Sequence, residues 1–168
     1  RAKPVLVIGG GEPAAWKAEL LAKAGAAVTV VAEDICADIQ ALSMSFGLQG
    51  SVRIVSRPWC VRDFAHHAIV VAEAKKESEA KAIFCAARAA GVPINIIDIP
   101  KFCSFQFGSI VNRSPVVIGI STDGAAPVLG QAIRTRIEAV LTQTLARWAA
   151  YAREIRAVGR NSRICEKA

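Results

Sequence analysis

Short apolar runs alternate with helix-like segments over the first 97 residues, and this alternation limits the possible folds more than any other feature. The runs at 5–8, 27–32, 52–56, 67–72 and 93–97 are predicted strands, and 14–24, 34–47 and 78–90 are predicted helices. Gly25 and Gly91 stand where the first and third helices should stop, and Ser78 is the expected N-cap of the third. Strands that are apolar throughout and separated by helices indicate an α/β fold, with a parallel sheet covered on both faces.

Residues 9–14, GGGEPA, join the first predicted strand to the first predicted helix and fit the pattern G-x-G-x-x-G/A. Gly9 permits a tight turn, Gly11 lets the backbone approach a phosphate, and Ala14 lets the helix pack close to its strand. Pro13 suits the first helical position, but it has no N–H to offer an anion. The stretch predicts a dinucleotide-binding loop in which Gly9, Gly11, Glu12 and Pro13 contact the cofactor. The alternative is an ordinary tight turn between strand and helix.

Two acids, Glu33 and Asp34, follow the second predicted strand, and Glu33 comes 22 residues after Gly11. An acid about 20 residues beyond the glycines typically binds the ribose hydroxyls of a dinucleotide. Because such an acid repels a 2′-phosphate, it favours NAD over NADP as the cofactor. The alternative is that the two acids only cap the next helix.

The pattern changes after Asp98. Residues 109–113 and 116–121 are predicted strands joined by Ser114 and Pro115, and 128–156 has the composition of one long helix or two. We therefore expect a sheet domain at 1–107, a strand pair at 108–126 and a helical region at 127–168. This small α+β part should pack against a second copy of the chain, because alone it is too small to bury a two-sided core. The expected assembly is a homodimer.

Positive charge is concentrated near the C-terminus. The formal net charge is +7, and the residues from 128 onward contribute eight Lys or Arg against three Glu. Either this basic region binds an anionic partner, or its charges form a solvated helical face. Nucleic acid is not the expected partner, because the chain has no RNP motif, zinc finger or basic-aromatic stripe. A polyanionic small molecule fits the charge equally well.

The cysteines and histidines argue against a resident metal. Five scattered cysteines with no C-x-x-C pattern indicate reduced thiols in a cytoplasmic protein. His66 and His67 are the only histidines, and on a strand their side chains would point to opposite faces. No membrane partner is expected either, because no apolar run approaches the ~20 residues that cross a bilayer.

Three segments in order carry a resemblance to a known family: VLVIGGGEPAAWKAELLAKAGAAVTVVA at 5–32, NIIDIPKFCSF at 95–105 and SIVNRSPVVIGISTDGAAPVL at 109–129. Together they resemble the N-terminal module of siroheme synthase, the precorrin-2 dehydrogenase and sirohydrochlorin ferrochelatase family. The resemblance covers roughly residues 4–160. The second and third segments are far more specific than the glycine loop.

The resemblance implies a Rossmann-like NAD domain, a dimerisation region and a helical C-terminal part. It implies NAD-dependent oxidation of precorrin-2 to sirohydrochlorin, with Fe²⁺ insertion as a second activity. It also implies a uroporphyrinogen-III methyltransferase as a fused or separate partner. Precorrin-2 carries eight carboxylates, so the basic C-terminal region would attract it.

The same resemblance assigns roles to three residues. Asp98 would be the catalytic base in both reactions, a position that also lies just past a predicted strand end, where α/β sheets carry their chemistry. The alternative for Asp98 is a turn residue before Pro100. Asn95 either binds substrate or fixes the loop. Thr122 either lies at the substrate site or caps the helix that follows.

The chain also departs from the family. Residues 73–76, EAKK, stand where many members have A-T-D-D near the nicotinamide, and Trp16 stands where an arginine is common. Lys75 and Lys76 either help to hold a polyanionic substrate or are solvated residues at a helix start. Two alternatives to catalysis therefore remain: a non-catalytic NAD-sensing regulatory domain, and a degenerate dimerisation module whose partner domain performs the chemistry.

Overall fold

The computed structural model describes residues 2–45, 49–113, 116–122, 126–142 and 144–165, with side chains described except at 146 and 157–165. The chain divides into two compact units, Arg1–Phe105 and Gln106–Ala168. This division falls two residues before the boundary expected from the sequence.

The first unit contains a five-stranded sheet in the order β3-β2-β1-β4-β5, with every neighbouring pair parallel. Its strands are β1 (Pro4–Ile8), β2 (Ala27–Ala32), β3 (Ser51–Ser56), β4 (Ile69–Ala72) and β5 (Ile94–Ile96). Its helices are α1 (Glu12–Lys23), α2 (Ala37–Met44) and α3 (Glu77–Ala89). The predicted α/β fold with a parallel sheet is confirmed. Because all five strands run the same way, the loops after their carboxyl ends lie along one edge of the sheet.

The core of this unit lies on both faces of the sheet, which explains why the strands are apolar throughout. Its largest fully buried side chains are Leu6, Val7, Val28, Val30, Val31, Ile39, Phe64, Val70, Val71, Ile83, Ile94 and Ile96. The buried side of α1 presents small residues, and Ala14, Ala18 and Ala22 are completely inaccessible to solvent. Small side chains let α1 lie close to the sheet, which places its N-terminus directly beside the end of β1.

The start of α2 differs from the sequence expectation. The helix begins at Ala37 rather than at 34, and its expected end at 47 lies outside the described residues. The backbone of residues 33–36 instead forms a turn, in which Cys36 N donates a hydrogen bond to Gly10 O over 2.9 Å. Tertiary contact with the glycine loop therefore decides where this helix begins.

Two further expectations are wrong. The N-cap of α3 is Lys76, with no side-chain capping bond, so Ser78 is not the cap. His66 and His67 precede β4 instead of lying on it, and His66 adopts a left-handed φ of 67° in a turn. A short 3₁₀ turn at Val61–Phe64, which the sequence analysis did not predict, comes just before them and buries Phe64.

The second unit pairs two antiparallel strands with two helices. The strands are β6 (Ser109–Arg113) and β7 (Val116–Ile120), and the predicted link at 114–115 lies outside the described residues. The helices are α4 (Pro127–Val140) and α5 (Thr144–Cys165), so the long helical region is two helices. Arg113 Nε donates to the carbonyl of Leu141, the residue after α4, over 2.9 Å. Within the described residues, none of the helices is both long and apolar enough to span a membrane.

Candidate functional site

The glycine loop after β1 is held against the neighbouring strand β2. Gly9 has a φ of 117°, which residues with a side chain rarely adopt, and its N–H donates to Val31 O over 3.1 Å. Gly11 is the N-cap residue of α1 and has extended backbone. The loop therefore turns sharply from the strand into the helix, whose first amides have no acceptor within the helix.

A cleft of about 730 Å³ opens beside this loop at the carboxyl ends of β1, β2 and β4. Its lining residues are Ile8, Gly9, Gly10, Gly11, Val31, Ala32, Glu33, Asp34, Ile35, Cys36, Pro58, Trp59, Glu73, Lys75 and Glu79. A pocket of this size at the carboxyl edge of a parallel sheet, with glycines at a helix N-terminus, fits a nucleotide.

The predicted cofactor residues fall into two groups. Gly9, Gly11, Glu33 and Asp34 all line the cleft, and both acids are exposed at the end of β2. Glu12 instead faces a separate groove between α1 and α2, which Trp16 and Asp38 also line. Pro13 is exposed and is the second residue of α1 rather than the first. Proline has no N–H, but the amides in the first turn of a helix have no acceptor within the helix. Pro13 therefore costs α1 no hydrogen bond.

Glu73 also lines the cleft, although it was not among the site residues predicted from the sequence. It follows β4 directly, and its N–H donates to Ile8 O over 2.8 Å, next to the glycine loop. Its side chain reaches across the loop, where Oε2 accepts the Gly11 N–H over 3.1 Å. Because β4 pairs with β1, any residue after β4 faces the loop after β1. That strand order was the information the sequence lacked.

The wall of the cleft after β3 is held by an ion pair. Arg57 Nη1 donates to Asp63 Oδ2 over 2.8 Å, and Cys60 N donates to the same oxygen over 2.8 Å. The hydrogen bond from Arg57 is the largest of the effects that lower the pKa of Asp63 to about 2. Within the loop that this pair closes, Trp59 lines the cleft and packs edge-on against Phe64 at 5.8 Å between ring centroids.

Asp98 lies at the same sheet edge, in the turn after β5. It is exposed and has a left-handed φ of 60°, which aspartate tolerates better than most residues. It is not among the lining residues of the cleft described above. Lys17, a buried residue of α1, is its electrostatic partner. Burial lowers the pKa of the Lys17 ammonium, and the Asp98 carboxylate acts in the opposite direction.

Asn95 and Cys103 hold the segment that carries Asp98. Asn95 is buried on β5, and its Nδ2 donates to Phe105 O over 3.0 Å. The Cys103 thiol accepts from Ile96 N over 3.2 Å and lies within hydrogen-bonding distance of two backbone carbonyls of the same turn. Burial raises the pKa of this thiol, so it stays protonated and can donate. These contacts favour the alternative in which Asn95 fixes the loop.

Thr122 lies in the second unit and is half-buried after β7. The methyl group of Thr122 lies near α4, since a Cβ added at Gly130 of that helix would be 3.7 Å from it. The N-cap of α4 is Ala126, so Thr122 does not cap that helix. In the part of the chain that the structure describes, no group of three or more His, Cys, Asp or Glu side chains could hold a metal ion.

The fold and the cleft define a class of protein: a Rossmann-like α/β domain with a dinucleotide-type glycine loop. The chain belongs to the family described as "Putative NAD(P)-binding", whose model matches residues 1–109. A siroheme synthase from Methylococcus capsulatus is 40% identical over 154 residues, which are 90% of this chain and 32% of that protein. A siroheme synthase from Ectopseudomonas mendocina is 41% identical over 142 residues, which are 84% of this chain and 29% of that protein.

The solved structure of SirC, precorrin-2 dehydrogenase, matches with a TM-score of 0.73 and 22% identity, over 92% of this chain and 74% of that one. The resemblance to the N-terminal module of siroheme synthase is thereby confirmed, and the SirC match supports the fold. The chain spans about a third of the length of the siroheme synthases it matches.

Proposed function

We propose that this protein is an NAD-dependent dehydrogenase that oxidises precorrin-2 to sirohydrochlorin in the cytoplasm. The observation that carries the proposal is the glycine-loop cleft at the same sheet edge as Asp98. The matched siroheme synthases and precorrin-2 dehydrogenase support the substrate class.

The residues around the cleft fit NAD. The loop backbone at Gly9 and Gly11 would face the pyrophosphate, and Glu33 and Asp34 would accept hydrogen bonds from the ribose hydroxyls. Two carboxylates at that position disfavour the 2′-phosphate of NADP, which is the physical reason to propose NAD. When bound, NAD supplies the acceptor for the hydride that leaves the macrocycle.

Asp98 is the proposed general base. Oxidation of precorrin-2 removes a hydride and a proton, and the exposed carboxylate of Asp98 can accept the proton. The positive charge of Lys17 on α1 attracts this carboxylate. The turn held by Cys103 fixes the backbone on which Asp98 is carried.

Further parts of the proposal rest on the relatives. Fe²⁺ insertion into sirohydrochlorin would be a second reaction, with Fe²⁺ as a substrate and Asp98 again accepting protons. Thr122 is proposed as a substrate-binding residue of the second unit. For Asn95, the role that its contacts support is to fix the loop of the first unit. A homodimer and a fused or separate uroporphyrinogen-III methyltransferase are the proposed partners, and the arginine-rich α5 is proposed to attract the polyanionic substrate.

The test is turnover without oxygen. Purified protein is mixed with precorrin-2 and NAD⁺, and the absorbance of NADH and of the oxidised macrocycle is followed together. We expect both to rise in equal amounts, and we expect Asp98→Asn to abolish the rise. Asp38→Asn, which removes an exposed aspartate from α2, is the matched control and should retain activity. A wild-type protein with no turnover would contradict the proposal, and full activity in Asp98→Asn would contradict the role of Asp98.

A non-catalytic NAD-sensing domain is the second candidate, because it would share the glycine loop and the acids after β2 but would not need Asp98. It would bind NAD⁺ without any turnover of precorrin-2. Direct binding and turnover measured on the same preparation separate the two candidates.

A further inference from the structure

We infer that Glu73 sets the dinucleotide affinity of this protein by occupying the place of the pyrophosphate on the glycine loop. The inference rests on the proposed NAD-binding function and concerns a side chain to which that function assigns no role. The carboxylate accepts the hydrogen of Gly11 N, one of the amides that the proposed function assigns to the phosphates.

The packing around both glycines places Glu73 over the loop. A Cβ added at Gly11 would lie 2.6 Å from Glu73 Oε1 and 2.8 Å from its Oε2, closer than real Cβ contacts allow. A Cβ added at Gly9 would lie 2.7 Å from the Cβ of Glu73. The space that these glycines leave open for a close approach is therefore filled by a side chain of the protein itself.

A carboxylate and a pyrophosphate cannot share this position, because both are anions and both need the same donor. Competition should be severe in this loop, since Pro13 already removes one of the first amides of α1. Binding of NAD therefore requires the Glu73 side chain to leave Gly11 N. Glu73 is half-buried at the mouth of the cleft, so a rotation of its side chain suffices for this displacement.

The chain offers two matched controls for this side chain. Glu79 also lines the cleft, but its Oε2 accepts from Lys75 N over 3.0 Å and does not touch the loop. Glu19 lies on α1, outside the cleft, and pairs with Lys23. Neutralising either one changes the net charge of the protein by the same amount as neutralising Glu73.

The experiment measures NAD⁺ affinity by isothermal titration calorimetry on the whole chain. We expect Glu73→Ala to bind NAD⁺ about tenfold more tightly than the wild type, the effect of freeing one amide from a charged hydrogen-bond acceptor. Glu73→Gln should tighten binding less, because its amide oxygen can still accept from Gly11 N. Glu19→Gln should bind as the wild type does. Glu79→Gln should tighten binding much less than Glu73→Ala, because Glu79 lines the cleft but its carboxylate accepts from Lys75 N rather than from Gly11 N. Thermal unfolding of each variant verifies that it is folded.

Two further ligands show whether Glu73 competes with the pyrophosphate or with another part of NAD⁺. ADP-ribose contains the pyrophosphate, so Glu73→Ala should tighten its binding as much as that of NAD⁺. Adenosine has no phosphate, so its affinity should not change. Equal tightening of adenosine, or an equal effect of Glu79→Gln, would overturn the inference in favour of a general charge effect.

Two failures can be told apart. If the wild type binds NAD⁺ and Glu73→Ala binds it no more tightly, the inference about Glu73 is wrong and the proposed function stands. If neither protein binds NAD⁺ or ADP-ribose, the proposed function fails, and the inference that rests on it fails too.

Discussion

The buried ammonium of Lys17 on α1 is electrostatically coupled to the carboxylate of Asp98 at the end of β5. The two residues belong to opposite ends of the first unit's sequence, and the sheet brings their elements together. A buried lysine is costly unless it is paired, so this position points to a role beyond packing. Lys17 could not be recognised from the sequence, because α1 also carries Lys23 and only the fold shows which of its positions are buried.

Replacement of Lys17 by methionine should lower the kcat of precorrin-2 oxidation about tenfold, through an interaction worth roughly 1.4 kcal/mol. Methionine keeps the apolar stem of the side chain but removes the charge that attracts Asp98. The affinity for NAD⁺, measured by calorimetry, should not change, and Lys17→Arg should recover part of the lost rate. An unchanged kcat in Lys17→Met would show that the pair has no role in the reaction.

Stability should also depend on Lys17 at alkaline pH. Burial lowers its pKa in the folded protein below the ordinary 10.5 of the unfolded chain. Between these two values the unfolded state binds more protons, so the free energy of unfolding contributed by Lys17 rises as the pH rises towards 10.5. Urea unfolding from about pH 8 to about pH 10 should show this rise in the wild type relative to Lys17→Met. A constant difference between the two proteins would contradict the lowered pKa.

Replacement of Asp98 by asparagine should reduce kcat by about 10²-fold to 10⁴-fold, the usual contribution of a positioned general base. Asparagine also tolerates the left-handed φ of 60° at this position, so the turn should survive. The KM for NAD⁺ should stay close to that of the wild type. An unchanged kcat in this variant would instead favour the alternative in which Asp98 is only a turn residue.

Replacement of Glu33 by glutamine should weaken NAD⁺ binding by about tenfold, because a charged acceptor for the ribose hydroxyls is lost. Binding of NADP⁺ should change in the opposite direction, since one carboxylate facing the 2′-phosphate is gone. Calorimetry with both cofactors tests this pair of shifts. Equal affinities of Glu33→Gln and wild type for both would mean that Glu33 does not contact the ribose.

The Arg57–Asp63 pair should stabilise the folded protein only while the Asp63 carboxyl is ionised, and its contribution should be lost at acid pH. The pKa of Asp63 falls from 3.8 to about 2 on folding, so its contribution to stability is complete above pH 3.8 and is lost as the pH falls to about 2. The difference in unfolding free energy between the wild type and Asp63→Asn should shrink over that range. Because the Arg57 side chain is exposed to solvent, we expect this difference to be small.

The sheet and the glycine loop could be predicted from the sequence because both depend on local patterns. Apolar runs mark strands buried on two faces, and the spacing of Gly9, Gly11 and Ala14 is a backbone requirement of one turn. The positions of Glu73 and Lys17 depend on which strands and helices become neighbours. That information is tertiary, and no local pattern contains it. The prediction of where α2 begins was wrong for the same reason, because the hydrogen bond from Cys36 N to Gly10 O decides where this helix starts.

The order of the strands has a consequence for how this protein can change over generations. The direction of sheet growth reverses between β1 and β4, so the residue that follows β4 always meets the loop that follows β1. The loop itself has little freedom to vary, because Gly9 has a φ of 117° and a side chain at Gly10 would clash with the carbonyl of Asp34. Residue 73 carries no such backbone requirement, so we expect that a single substitution there can change the affinity for the cofactor while the fold stays the same.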